Sequence, residues 1–593
     1  MNQNLEKLKL CKNRADLAQL LELDIAFLNR TLFQIPIKSR YQIIEIPKKN
    51  SKSKRKIFIP DGYLKVLQTH LAHLLTEIFE FLKKDKPIIS FAYRKDNESD
   101  KYGIYQNACK HINKKIVLNL DIKNYFETIN FQRIVGFFMK NKNFILEKEV
   151  AITIAQIACY SENGKTFLPQ GSPCSPVISN FIGEIIDSKI TKLKSKYKFS
   201  YTRYADDLTL SFTHIKVSEN IFNIQDGIPI IGKSLEEAIQ SSGFEINKKK
   251  TRLHFRNNRQ SVTGLTVNSK VNINKYYYKN TKSMGLAYCM YNDFYKSKNH
   301  VYDENIPNVN SLIGIFNYVN HIKKLEKYRQ TDSKPKISIK NNERTLEPNE
   351  YLFEMNSFER LFLKVLFHRS FIYHKKINIL CEGKTDPLHL NNYLEKTTNY
   401  NKNNYNFFAF KESAPSFFSK TLHIQSGTGS LIRFIQVYES LYHSKKKMML
   451  PTIILVDNDK AGESVFNAAK KRYPITYSEI KDKVKYAFIC MNLYIIQIPS
   501  QCLLENKDIL CIEDMYHSDI LNIKFGQKEL YKGNNPKEFK NDKHYTKDTF
   551  INEVVCKTGS IDYRNFDCLI EIINVIHNLN LYKNISSFKL GKK

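Results

Sequence analysis

The chain has 593 residues, 42% of them apolar, enough for several domains with real cores. Its 92 Lys and Arg stand against 59 Asp and Glu, and the net +33 exceeds what solubility needs, which favours a polyanionic partner such as nucleic acid. No apolar run reaches the length of a membrane span, Met1 to Lys12 is polar, and the 11 scattered cysteines contain no CxxC pair; the reading is a cytoplasmic protein with reduced thiols, not a membrane, secreted or zinc-binding one.

In chain order, residues 14–34 read as a helical lead-in, with Leu17, Leu20, Leu21, Ile25 and Leu28 on one face. Tyr41 to Ile46 and Ile57 to Pro60 read as strands around the basic loop 48–56, either a solvated tip or a grip on phosphates. A helix follows whose Leu64, Leu67, Leu71, Leu74, Ile78 and Leu82 form a core stripe. Ile116 to Asp121 is a buried-type strand that ends in an acid. Phe126, five positions on, is either a core ring or a plate that excludes a nucleotide 2′-hydroxyl.

Leu168-Pro169-Gln170-Gly171 opens a Pro-containing loop before the apolar helix Val177 to Ile190. Gly171 frees the backbone, and Gln170 offers both a donor and an acceptor. Tyr201 to Phe212 then reads as strand, tight turn, strand, with Asp206 and Asp207 at the turn. A solvated turn is the bland account of this pair. Two carboxylates held together repel each other unless a cation joins them, and hard oxygen ligands suit Mg²⁺. Lys248, Lys249 and Lys250 follow a short strand.

These residues carry a resemblance. Asp121, the Leu168–Gly171 loop and Tyr204-Ala205-Asp206-Asp207, in that order, resemble the palm of a reverse transcriptase. Asn107-Ala108-Cys109-Lys110-His111 resembles the NAxxH signature of retron reverse transcriptases, and Val262-Thr263-Gly264 their VTG signature. The likeness covers residues 1–330 and implies an α+β right-hand polymerase with fingers, palm and thumb. It implies that Asp121, Asp206 and Asp207 hold two Mg²⁺ ions. It also implies that Arg55, Phe126, Gln170 and Lys250 meet the incoming nucleotide, with Lys250 competing against its two neighbours. Asn107, His111, Val262, Thr263 and Gly264 are then expected at the RNA. Tyr276, Tyr277 and Tyr278 either clamp RNA or pack a helix.

Residues 331–374 read as a polar connector and a helix. In 375–593, Ile377 to Cys381 ends in Glu382, and Thr452 to Val456 ends in Asp457-Asn458-Asp459, which suggests a parallel α/β sheet with acids at its rim. This resembles a TOPRIM domain, with Glu382, Asp457 and Asp459 as ligands for one or two Mg²⁺ ions. Ser426 to Ser430 fits the intervening glycine turn. Glu513-Asp514 resembles an extra acidic word with Asp514 as a further ligand, and Lys543-His544 or Lys547 supplies a cation.

The resemblances together imply a retron reverse transcriptase fused to a TOPRIM effector in bacterial antiphage defence. Its partners are a structured noncoding RNA, deoxynucleoside triphosphates and a branched single-stranded DNA product, with an oligomer around the RNA–DNA left open. One rival is an intron-encoded reverse transcriptase, which the acids at Glu382 and Asp457 oppose. Another is a non-catalytic TOPRIM module that packages the RNA–DNA.

Overall fold

The computed structural model describes residues 3–47, 54–97, 101–294, 308–331, 355–410, 417–422, 424, 427–442, 450–473, 477–480, 484–499, 511–532 and 538–579. The chain divides into two compact units, Met1–Lys275 with His321–Pro335, and Tyr276–Asn320 with Lys336–Lys593. Most of the basic loop, residues 48–53, and most of the connector, 332–354, lie outside the described residues, as does Ser426 of the glycine turn.

In the first unit β1 (Tyr41–Pro47) and β2 (Lys54–Pro60) pair antiparallel, with Ile46 opposite Arg55. Helix α1 (Gly62–Lys83) starts where the Asp61 side chain accepts from the Leu64 N–H at 2.8 Å, and it buries Leu64, Leu67, Leu71, Leu74 and Ile78. Next come α2 (Ile104–Cys109), β3 (Ile116–Asp121) and the single turn α3 (Tyr125–Thr128). Helix α4 (Ser175–Tyr197) carries Pro176 in its first turn, where no N–H partner is lost. It leads into β4 (Ser200–Tyr204) and β5 (Asp207–Phe212), and β6 (Arg252–Phe255) follows. These four strands form an antiparallel sheet in the order β6-β3-β5-β4, and its apolar face packs on α1 and α4. A two-residue hairpin, β7 (Ser261–Val262) and β8 (Leu265–Thr266), closes the unit. Its turn residues Thr263 and Gly264 have φ of 45° and 84°, the mirror-image turn that suits a tight hairpin.

Helix α5 (Lys275–Tyr291) begins at the boundary between the units. In the second unit α6 (Ser357–Phe367) starts in a capping box between Asn356 and Glu359. The rest is an α/β sheet built from β9 (Ile377–Cys381), α7 (Asp386–Lys396), β10 (Tyr405–Phe408), α8 (Thr428–Leu441), β11 (Thr452–Val456), α9 (Lys460–Arg472), β12 (Tyr477–Ile480), β13 (Val484–Cys490) and β14 (Leu493–Gln497). The strand order is β10-β9-β11-β14-β13-β12. The first four are parallel, and β13 and β12 run antiparallel at one edge. Every residue of β9 and β11 is buried, the polar Asn378 and Thr452 among them, and the other residues of both strands are apolar. Each unit has its own apolar core.

Among the described residues no helix is long and apolar enough to cross a membrane. Cys568 departs from the expectation of reduced thiols, being disulfide-bonded, while the other described cysteines are free.

Candidate functional site

The first unit gathers its acids at one end of the sheet. Asp121 closes β3 and Asp207 opens β5, and the two are register partners on neighbouring strands. Between β4 and β5 the chain turns at Ala205, whose φ is 56°, and the Asp206 carbonyl accepts from the Ile122 N–H at 3.0 Å. Three carboxylates are thereby placed at one edge. Burial, then the charges of Asp206 and Asp121, pushes the Asp207 carboxyl up to about 7. Asp206 is raised as well, by burial first and with Asp121 contributing.

Cations answer this cluster. Lys250 Nζ stands 2.8 Å from Asp121 Oδ2, and Asn247 Nδ2 donates to the other oxygen at 3.0 Å. Lys248 instead faces Glu236 at 3.5 Å, so of the three lysines it is Lys250 that turns inward. Arg55, on β2, is exposed, and its charge helps hold Asp206 down against burial. Tyr93, at φ 58°, lies within the field of both Asp206 and Arg55, and no motif marks it in the sequence.

The loop before α4 is fastened to the strand that bears Arg55. The Phe58 N–H donates to the Gln170 carbonyl at 2.7 Å, and a Cβ on Gly171 would lie 2.6 Å from the Phe58 carbonyl oxygen. Only glycine permits that approach at φ 116°. The Gln170 amide reaches Glu127 at 3.3 Å, one residue after Phe126. Phe126 is half-buried with its ring 5.5 Å from that of Tyr125.

The residues expected at the RNA fall elsewhere. His111 is wholly buried; its ring nitrogens bond Ser211 Oγ and Thr202 Oγ1, both at 2.7 Å, and it joins β4 to β5. Burial lowers its pKa to about 3, so it is a neutral clamp with no surface to present to a phosphate. Asn107 and Val262 are each 1% exposed, which corrects their assignment to a contact surface as well. Both amide atoms of Asn107 lack a hydrogen-bond partner. Thr263 Oγ1 donates to the Ile104 carbonyl at 3.2 Å, so the two signatures meet: the hairpin turn docks on α2. Gly264 is exposed at that turn. Of the three tyrosines, Tyr278 stacks on Phe358 with ring centroids 5.1 Å apart, whereas Tyr276 is 70% exposed and Tyr277 38%.

The second unit has an acidic rim of its own. β9 and β11 are parallel neighbours with Cys381 opposite Leu455, so the residues that follow them, Glu382 and Asp457, emerge side by side. Glu382 Oε2 accepts from the Asp457 N–H at 3.3 Å. Asp386 and Glu513, which no motif singled out as ligands, join them. Burial first, then the charges of Asp386 and Glu382, raises Asp457 to about 8, and burial and Glu513 raise Asp386 to about 6. Lys547 Nζ lies 3.0 Å from Glu513 Oε2, which selects it over Lys543 and His544 as the cation here.

Two expectations change. Asp459 caps α9, its side chain accepting from the Gly462 N–H at 2.8 Å. Asp514 turns away from the rim to Lys532 at 2.9 Å and to the Cys511 N–H at 3.1 Å, and its neighbour Glu513 is the one that enters. Adjacent residues of a short helical turn face different ways, which an acidic pair in a sequence does not disclose.

Among the described residues no group of three or more His, Cys, Asp or Glu side chains is closed around a single metal position. Both sets nevertheless fit hard divalent cations. They are carboxylates only, and burial first, then the charges of neighbouring acids, raises Asp207 and Asp457, a penalty that a cation would relieve. Asp121, Asp206 and Asp207 would hold the ions in the first unit, and Glu382, Asp457 and Asp459 in the second, Asp459 at the cost of its cap.

Residues 46–279 match the family described as "Reverse transcriptase (RNA-dependent DNA polymerase)". The Retron Ec86 reverse transcriptase of Escherichia coli is 30% identical over 246 residues, 41% of this chain and 68% of that protein. The Retron Mx162 reverse transcriptase of Myxococcus xanthus is 28% identical over 266 residues, 43% of this chain and 53% of that protein, so this chain spans about half the length of that relative. A telomerase structure from Candida albicans aligns at 12% identity and a TM-score of 0.30 over 69% of this chain and 66% of that one, too loosely to assign a fold. The matched stretch contains the three acids, the Gln170–Gly171 loop and Lys250, and on the match to the Escherichia coli protein the chain belongs to the retron reverse transcriptase family.

Proposed function

We propose that the chain is an RNA-directed DNA polymerase that copies a partner noncoding RNA into branched multicopy single-stranded DNA, primed from a 2′-hydroxyl of that RNA. The observation that carries this reading is the convergence of Asp121, Asp206 and Asp207 at one sheet edge, with Lys250 and Arg55 as cations around them. Mg²⁺ bound there supplies charge neutralisation at the reacting phosphate and a more acidic primer hydroxyl. The chain's own groups do the rest. Arg55 binds the triphosphate, Gln170 and Phe126 orient base and sugar, and Lys250 delivers a proton to the departing pyrophosphate once nucleotide binding frees it from Asp121.

For the second unit we propose a TOPRIM nuclease effector in antiphage defence. The supporting observation is Lys547 beside an acidic rim formed by Glu382, Asp386, Asp457 and Glu513, a cation for a phosphodiester next to acids for the ions. Primer extension on the copurifying RNA tests the first activity, and Asp206→Asn abolishes it. Incubation of total cellular RNA and DNA with protein stripped of its nucleic acid tests the second, and Glu382→Ala abolishes cleavage. A wild-type protein that cuts neither pool favours the packaging module instead.

A further inference from the structure

Arg203 sits three residues before Asp206 in β4 and is fully buried, a permanent charge in the interior of the first unit. Such a charge costs stability unless its partners satisfy it, and an apolar side chain would fill the same space more cheaply. Its partners are unusually placed. Nε lies 2.9 and 3.0 Å from the two oxygens of Asp187, and Nη2 lies 2.9 Å from one of them. Nη1 reaches Asn180 Oδ1 at 3.1 Å and, at 3.4 Å each, the Tyr125 hydroxyl and the Ala205 carbonyl.

Those contacts lead to three elements. Asn180 and Asp187 belong to α4, the helix entered from the Gln170–Gly171 loop. Tyr125 directly precedes Phe126 in α3, just beyond Asp121. Ala205 is the positive-φ residue on which the Asp206–Asp207 turn depends. A fourth segment is tied to the backbone of Arg203, which donates to the Ile89 carbonyl and accepts from the Phe91 N–H, both at 2.9 Å. Asn180 completes the network: its carbonyl also accepts from Ser90 Oγ at 3.0 Å, and its amide donates to the Ala92 carbonyl at 2.9 Å.

The helix leaves room for this group. A Cβ on Gly183 would stand 2.6 Å from Arg203 Cζ, so the guanidinium lies against bare helix backbone. A lysine cannot replace it, because an ammonium has no planar fork to span Asp187, Asn180 and Ala205 at once.

We propose that Arg203 is a positioning residue for DNA synthesis, a buried brace that sets the Ala205 turn, and with it Asp206 and Asp207, against the elements bearing Asp121, Phe126 and Gln170. The proposal rests on the polymerase reading above. Arg203 makes no hydrogen bond to any of the three acids among the described residues, so it acts on them through the Ala205 carbonyl and the shared framework.

The test compares full-length wild type with Arg203→Lys, Gly183→Ala and the charge-neutral pair Arg203→Met/Asp187→Asn. Four quantities are read: the melting temperature, affinity for the copurifying RNA, kcat and KM for a single nucleotide addition, and amide hydrogen exchange across residues 204–208. The expected result is a fall in kcat of about a hundredfold, the scale of a misplacement near 1 Å. Exchange in the turn accelerates, while RNA affinity and nucleotide KM hold. If the double variant does not fold, Gly183→Ala decides, since it displaces the guanidinium without removing a polar group. Folded variants with wild-type kcat and unchanged exchange at 204–208 overturn the proposal and leave Arg203 as packing. A wild type that extends no primer overturns the polymerase reading, and this proposal with it.

Discussion

At the scale of single residues, charge decides what each site tolerates. The Asp207 carboxyl, at about 7 in the folded protein, has a pKa well above its unfolded value near 4. Its protonated form is favoured by folding, so the cluster's contribution to stability is greatest below about pH 4 and is lost as pH rises towards 7. Asp206→Asn removes part of that repulsion. In metal-free buffer at pH 8 its melting temperature should exceed that of wild type, and added Mg²⁺ should raise wild type more than the variant. His111 behaves in the opposite sense. Its folded pKa of about 3 lies below the unfolded value near 6.5, so the stability it contributes is present above 6.5 and is lost as pH falls towards 3. His111→Gln should flatten the acid limb of a denaturant-unfolding series below pH 6.5, while RNA affinity at pH 7.5 stays at the wild-type value.

At the scale of elements, the clearest dependence is the approach of the Gln170–Gly171 loop to β2. Gly171→Ala places a methyl group 2.6 Å from the Phe58 carbonyl at a φ of 116°, so either the loop or the strand must move. The expected cost is about 1–3 kcal/mol, and nucleotide KM should rise because Gln170 and Arg55 lose their mutual placement. Thermal unfolding and steady-state kinetics check the two halves of that statement. This element also shows what a sequence discloses. Asp121, the Gln170–Gly171 loop and Asp206-Asp207 are legible because strand ends and tight turns leave short-range patterns in composition. The buried strands β9 and β11, apolar apart from Asn378 and Thr452, are legible for the same reason. Asp386 and Glu513 are not, since they are far apart in the chain and come together only when α7 and the Ile512–Met515 turn meet. The choice between Glu513 and Asp514 is equally hidden, being a matter of which neighbour turns inward. His111 belongs to a signature word, yet nothing local says that its ring is spent between two strands.

At the scale of the whole molecule, the net charge of +33 governs how a polyanion is held. Binding of the RNA–DNA should weaken steeply with salt. Lys54 is paired with Glu45 at 3.0 Å, so among the described residues Arg55 and Lys56 are the cations of the β1–β2 hairpin left to meet a phosphate. Replacing both with Gln should reduce the slope of log K against log salt by about 1.5; an unaltered slope would make that hairpin a solvated turn.

If Asp121, Asp206 and Asp207 build DNA on a partner RNA, the product is held in the cell's own nucleic acid. Nucleic acid is extracted from cells carrying wild type, Asp206→Asn or Glu382→Ala, treated with ribonuclease, and sequenced across the RNA–DNA junction. Wild type and Glu382→Ala should yield a single-stranded DNA joined at a 2′-position, and Asp206→Asn none. The same branched DNA recovered from Asp206→Asn, or no DNA from the wild type bound to its RNA, would contradict it.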